Sequence, residues 1–260
     1  MKSNSWIFIF LLMFIILSGA HFTAFGQLSQ EKQRDLHRPF DILLRIYVKD
    51  FRFDYTRILN NPRDLQRLSD YIDNLELLDP VDWSREDALA YWINLYNAAT
   101  LELVLKRYPV KSIKKIGGLF SSPWKKKVVK VAGKELSLGE IEDNIIRSQF
   151  NDPRTHFAIN NAAISCPPLR NEAFIGETLD AQLDNAVKAA LAEDMWLEIT
   201  DLEIRTNKVF DWHKKDFQKS AGSIREFISK YRERDKTAIL DETRKLKYHK
   251  YNWDLNKLNL

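Results

Sequence analysis

A chain with a single cysteine can form no disulfide with itself, so Cys166 leaves this protein to be held together by its apolar core. The composition allows that. Of 260 residues, 45% are hydrophobic and 12% aromatic, and there is no low-complexity tract, internal repeat or Gly/Ser linker to divide them. One large domain is expected.

The N-terminus reads as an export signal. Lys2 precedes an uninterrupted apolar run, residues 6–17, and those twelve residues are fewer than the roughly 20 that a membrane span requires. Ala24 and Gly26 supply small residues three and one positions before Gln27, so cleavage is expected after Gly26, with 18–20 as a second candidate and an uncleaved anchor as the alternative. No cysteine follows the run to accept a lipid. The folded protein, 27–260, is therefore expected in the periplasm or outside the cell.

The net charge of +4 is unevenly spread: residues 106–134 hold ten Lys or Arg and no Asp or Glu. Such a segment suits an anionic surface, lipid headgroups or acidic polysaccharide, through Lys125, Lys126 and Lys127. The plainer reading is a solvated loop and strand face. Nucleic acid is not expected as a partner in that compartment; a small molecule, a peptide or a glycan is.

Apolar spacing predicts helices over 29–49, about 65–75 behind Pro62, and 84–107, the last opened by Ser84 and Asp87 and stopped by Pro109. Gly117-Gly118 and Pro123 then punctuate the chain, and 128–136 reads as a β-hairpin about Ala132-Gly133. Ser137 and Glu140 form a capping box that starts a helix reaching about Phe150. Residues 156–165 read as a buried strand, 178–193 and 223–234 as helices, and 196–209 as strands turning near Asp201. Helices first, then mixed strands and helices without a regular alternation, give the class α+β with a small sheet.

No phosphate-cradling glycine loop, H-E-x-x-H, G-x-S-x-G or C-x-x-C occurs. The five histidines lack metal-ligand spacing, so neither a zinc site nor any cofactor is expected. The remaining candidates are polar residues in apolar settings. Tyr91, Asn94 and Asn97 share one helix face, either binding substrate or bonding the backbone of a neighbouring loop. Glu142 falls on the inward stripe of its helix with Leu138 and Ile145 and wants a donor from Asn97, Arg147, Arg154 or His156. His156 opens, and Cys166 closes, the stretch ending Cys-Pro-Pro-Leu169, with a turn needed at Asn160-Asn161 to bring them together. A helix starting at the two prolines would activate the thiol; burial would silence it. Asp211 is a candidate to orient an imidazole, while His213, flanked by lysines, and His37 and His249 read as surface residues.

These residues resemble the domain of unknown function 547 family: Trp92-Ile-Asn-Leu-Tyr-Asn-Ala98, Tyr108-Pro-Val-Lys-Ser-Ile113, Gly117-Gly-Leu-Phe-Ser-Ser-Pro-Trp124, the helix from Leu138 to Arg147, the stretch from His156 to Leu169, and Phe210-Asp-Trp212. The resemblance covers about 75–217 and implies a bacterial envelope setting without an established reaction. Where the family often has Glu-His this chain has Glu142-Asp143, and where it often has Asn-Cys this chain has Asn160-Asn161, so a dithiol role is not implied. The expected activity is a thiol-dependent hydrolase or acyl transferase, with Cys166 as nucleophile, His156 as base, Glu142 or Asp211 orienting it, and Asn94, Asn97, Tyr91 and Asn160 near substrate. The rival is a non-catalytic module that binds an anionic glycan or membrane surface.

Overall fold

Three long helices, each started by a side-chain cap, build the first half of the protein. Ser29 accepts from the Lys32 N–H at the start of α1 (Gln30–Tyr47), Asn61 from that of Asp64 before α2 (Pro62–Glu76), and Ser84 from that of Asp87 before α3 (Arg85–Leu105). From Asp87 to Leu105 every α3 residue except Glu102 is buried. A helix with no solvent face has to be surrounded, and α1, α2 and the elements that follow pack around it through Phe40, Leu44, Leu68, Ile72 and Ile146.

The computed structural model describes residues 29–117 and 122–258. The expected export signal, 1–26, and positions 118–121 of the glycine-rich segment lie outside the described residues. Beyond them, β1 (Lys127–Val131) and β2 (Lys134–Ser137) form the expected antiparallel hairpin. Ala132 and Gly133 both take positive φ, 49° and 77°, the backbone that a tight two-residue hairpin needs. The Ser137–Glu140 capping box then starts α4, one α-helical turn (Leu138–Glu140) that runs directly into a π-helix (Ile141–Phe150). Windings of this kind are rare and gather at functional sites.

The second half is assembled around its own apolar cluster. Helix α5 (Leu179–Leu191) is followed by β3 (Leu197–Ile199), antiparallel to β4 (Glu203–Thr206), which pairs in parallel with β5 (Lys245–Tyr248). Between β4 and β5 run α6 (Lys208–Trp212), α7 (Lys214–Ala221) and α8 (Ile224–Tyr231). Their Phe210, Phe217 and Phe227 pack with Trp196 and Phe157. The C-terminal chain then returns to the first half, where the Leu255 N–H donates to Lys111 O at 2.8 Å and Tyr55 Oη donates to Asn256 at 2.8 Å. The α+β class with small sheets holds.

Three local expectations do not. Residues 156–165 form no strand: a 3-10 turn (Pro153–Phe157) leads into irregular chain. A short apolar run marks burial, not ladder pairing, and here side chains satisfy the backbone. Asn97 Oδ1 accepts the Asn160 N–H, and Asn160 Oδ1 that of Ala162, whose φ is 56°. The turn does fall at Asn160-Asn161. No helix begins at Pro167-Pro168; the next helical turn starts at Gly176. Finally, His37 is fully buried and His249 half-buried, because charged neighbours in sequence occupy other faces: His37 shares the inward stripe of α1 with Gln33, Phe40 and Leu44.

His37 Nδ1 meets Tyr71 Oη at 2.8 Å, and burial pulls its pKa down to about 3. The folded state therefore refuses a proton that the unfolded state takes up below about pH 6.5, so this group's contribution is intact at neutral pH and lost as pH falls from 6.5 toward 3. Between pH 7 and 4.5 the loss should be about 2–3 kcal/mol. Denaturant melts of the wild type and His37→Gln at both pH values check this; the variant should lose that much less on acidification, and equal losses would contradict it.

Candidate functional site

The seam between the two apolar clusters holds a cavity of about 300 Å³. Its floor comes from both sides. The π-helix that continues α4 contributes Glu142, the 3-10 turn contributes His156, and the junction of α6 with α7 contributes His213. Trp124, Trp212, Tyr251 and Trp253 wall it.

Glu142 is held from the core side: Tyr96 on α3 donates its hydroxyl to Oε2 at 3.2 Å. Its other oxygen, Oε1, stands 3.9 Å from His213 Nε2, too far for a hydrogen bond. Burial, with Asp143 beside it, pushes this carboxyl up to about 7 against the Tyr96 bond. The rings of His213 and His156 stack with centroids 3.9 Å apart. Burial takes His213 down to about 2, and the neighbouring His156 and Arg147 add to the effect.

His156 is almost wholly enclosed and donates from Nε2 to Asp216 Oδ2 at 2.8 Å. Burial lowers its pKa while the Asp216 bond opposes. Arg147 Nε bonds the same Asp216 oxygen at 2.9 Å, and the His156 bond and this guanidinium hold Asp216 well below the usual carboxylate range. Arginine, aspartate and imidazole thus form a chain that fixes the His156 ring, with Nε2 carrying the proton and Nδ1 left as a lone pair. One donor atom each from Glu142, His156 and His213 lies within 4.8 Å of the other two, so two imidazoles and a carboxyl are grouped as metal ligands or as proton-transfer groups. The sequence spacing could not show this, because 142, 156 and 213 come from three separate elements.

Cys166 stands apart from the floor. Its Sγ accepts N–H bonds from Asn161 at 3.1 Å and Ala163 at 3.4 Å and meets Tyr251 Oη at 3.2 Å. Among the described residues no imidazole bonds it, and burial raises its pKa despite these partners. The thiol acts here as a buried knot tying the Asn160 turn to the C-terminal chain. Asp211 is ion-paired with Lys208 at 2.6 Å, and the carboxylate on His156 is Asp216.

The four residues read as substrate contacts are occupied elsewhere. Tyr91 donates to Leu75 O at 2.8 Å. Asn94 exchanges two bonds with the Phe174 backbone, and Asn97 links Ala158 O to the Asn160 N–H. Asn160 itself donates to Pro167 O at 2.9 Å. Asn94, Asn97 and Asn160 line a void of only about 10 Å³, room for a single water. It is instead Asn161 that reaches the site, accepting from Trp124 Nε1 and lying in contact with the Tyr96 hydroxyl.

Of the three lysines, Lys127 is paired with Glu140 at 2.5 Å, while Lys125 and Lys126 are exposed beside Trp124. Sequence reasoning missed His213, Asp216 and the Tyr251–Trp253 wall. The signal available was the density of Asp, His and Trp in Asp211-Trp-His-Lys-Lys-Asp216; the lysines beside His213 suggested exposure, yet Lys214 and Lys215 are exposed while only 16% of the His213 side chain is accessible.

No curated protein and no solved structure matches the chain. Residues 80–189 match the family model described as protein of unknown function, DUF547, a span that contains Trp124, Glu142, His156 and Asn161 and stops short of His213, Asp216 and Trp253. Over that span the chain is similar to the DUF547 family.

Proposed function

We propose that this protein is an exported hydrolase that removes acyl groups from an acidic glycan in the seam cavity. The observation that carries the reading is the placing of Glu142, His156 and His213 on the floor of one cavity whose walls are Trp124, Trp212, Tyr251 and Trp253. Export rests on Lys2 and the apolar run 6–17.

The wall supports a sugar. Trp212 keeps 46% of its surface exposed and stacks on Trp253 at 5.8 Å and 29°, and Trp124 meets Trp253 edge-on at 5.5 Å. Large aromatic faces left open beside titratable groups mark a ligand site, and the negative face of an indole attracts the weakly positive C–H edge of a pyranose ring. Lys114 lies 4.9 Å over Trp253, and Lys125 and Lys126 flank Trp124, so the same rim suits a negatively charged chain.

The floor supports acyl hydrolysis. Cleavage of a glycosidic bond uses two carboxyl groups flanking the bond. Here Asp143, the other carboxylate of the cavity, is tied to Arg147 by an ion pair and to no imidazole. Hydrolysis of an ester substituent needs a water delivered to the acyl carbon and a proton delivered to the departing oxygen. Water adds to the carbonyl, giving up a proton to the Glu142–His213 pair, the acyl C–O bond breaks, and that proton passes to the sugar oxygen. A carboxylic acid and a free sugar hydroxyl result. His156, fixed by Asp216 and Arg147, gives the floor its rigid side.

Acid release from an O-acetylated polyuronate tests the reading. Glu142→Gln should lower kcat by about 10²- to 10⁴-fold, and Trp212→Ala should raise KM about three- to tenfold with kcat retained. Acid release from none of a panel of O-acylated acidic glycans, or release indifferent to Glu142→Gln, would contradict it. Cys166→Ser, checked for folding by circular dichroism, should keep its turnover; a loss as deep as that of Glu142→Gln would return the nucleophile's role to the thiol.

A further inference from the structure

We infer that Glu142, His156 and His213 bind a divalent transition-metal ion of the zinc type, with a remaining coordination position facing the cavity. The inference rests on the hydrolase reading only for the ion's purpose: with an ion bound, Glu142 and His213 would hold it in place of taking the water's proton, which would be lost to solvent as the ion acidifies that water, while the site itself stands on the geometry of three side chains.

Each donor atom lies within 4.8 Å of the other two. Two imidazoles and one carboxylate, with a position left for water, form a donor set that catalytic zinc uses, and imidazole also suits iron, nickel and copper. A four-coordinate ion with donors at about 2.0–2.2 Å spaces them about 3.3 Å apart. The Glu142 Oε1 to His213 Nε2 separation of 3.9 Å exceeds that by an amount that rotation of the two side chains covers. It is also a gap that no hydrogen bond closes. Neither ring nitrogen of His213 has a hydrogen-bond partner among the described residues, Nδ1 being buried and Nε2 standing at that 3.9 Å, so the structure gives this ring no other employment beyond its stacking on His156.

The surroundings match what holds metal ligands in place. A ligand histidine usually donates its second nitrogen to a carboxylate, which fixes the tautomer and the ring. His156 does so to Asp216 at 2.8 Å, and Arg147 anchors Asp216 in turn. A ligand carboxylate is usually hydrogen-bonded on its free oxygen, and Tyr96 donates to Glu142 Oε2 at 3.2 Å. One support comes from the core, Tyr96 on the buried stretch of α3, and the other from Asp216, half-buried on α7. The cavity also gives an ion a path in from solvent along the Trp212 face.

Calorimetric titration of the chelator-dialysed full chain with Zn(II), and with Co(II) followed by its visible absorption, tests the site. One equivalent should bind, and Co(II) should give the intense band of a low-coordinate nitrogen–oxygen site. His213→Ala and Glu142→Ala should each abolish saturable binding, Asp216→Asn should weaken it about 10- to 100-fold, and Cys166→Ser should bind as the wild type does. Should His213→Ala fail to fold, His213→Gln serves in its place, with Asp216→Asn as the independent arm. No saturable binding, binding unchanged in the His213 variant, or binding lost in Cys166→Ser would overturn the inference. Acyl release that persists after chelation while remaining sensitive to Glu142→Gln would remove the metal and leave the hydrolase. Metal binding as described, with no acyl release, would do the reverse.

Discussion

The structure depends on one helix that has no outside. Helix α3 is buried along nearly its whole length, so everything it carries must be satisfied by the chain around it, and its polar residues do this as donors and acceptors to specific loops. Asn94 holds the Phe174 segment, Asn97 holds the Ala158–Asn160 segment, and Tyr96 reaches between them to Glu142 and Asn161. Leaving any of these backbone groups unpaired in the core would cost about 1–3 kcal/mol. The loops are therefore fixed in position as a condition of folding, and the cavity floor inherits that rigidity.

The second consequence is where the cavity lies. Two apolar clusters meet along a line, and polar residues gather there. Glu142 faces the seam from the α3 side, His213 and Asp216 face it from the phenylalanine-rich side, and His156 sits in the chain that passes between them. The C-terminal chain closes the seam with Tyr251 and Trp253 and is itself tied to the first cluster through Leu255 and Asn256. Ionisable groups at such a boundary are removed from water on one side and open to a ligand on the other, which is the setting that active sites use.

Much of the fold was legible in the sequence, because helix caps and apolar periodicity are local signals. Ser84, Ser137 with Glu140, and Ser223 each cap the helix expected of them, and Ala132-Gly133 makes the expected turn. The site was legible only in part. Glu142 could be placed facing inward from its helical stripe, and His156 and Cys166 could be seen to need a turn between them, which Asn160 supplies. What decides their roles is long-range. His156 is 60 residues from Asp216, and Cys166 is 85 from Tyr251. No periodicity reports such a pairing, and a lysine-flanked histidine looks exposed until the fold stacks it on another ring. The asparagines of α3 illustrate the converse: polar residues on an apolar face are as readily structural as functional, and only their partners distinguish the two.

The central claim is that ligand is taken at the aromatic wall over the Glu142, His156 and His213 floor. The most direct measurement is the set of indole N–H resonances of the six tryptophans within 27–260 during titration with an acidic oligosaccharide. The account predicts that the signals of Trp124, Trp212 and Trp253 shift together and saturate, while buried Trp196 and the distant pair Trp83 and Trp92, which line a separate groove, do not move. Shifts confined to Trp83 and Trp92, or no saturable shift at Trp212 and Trp253, would contradict it.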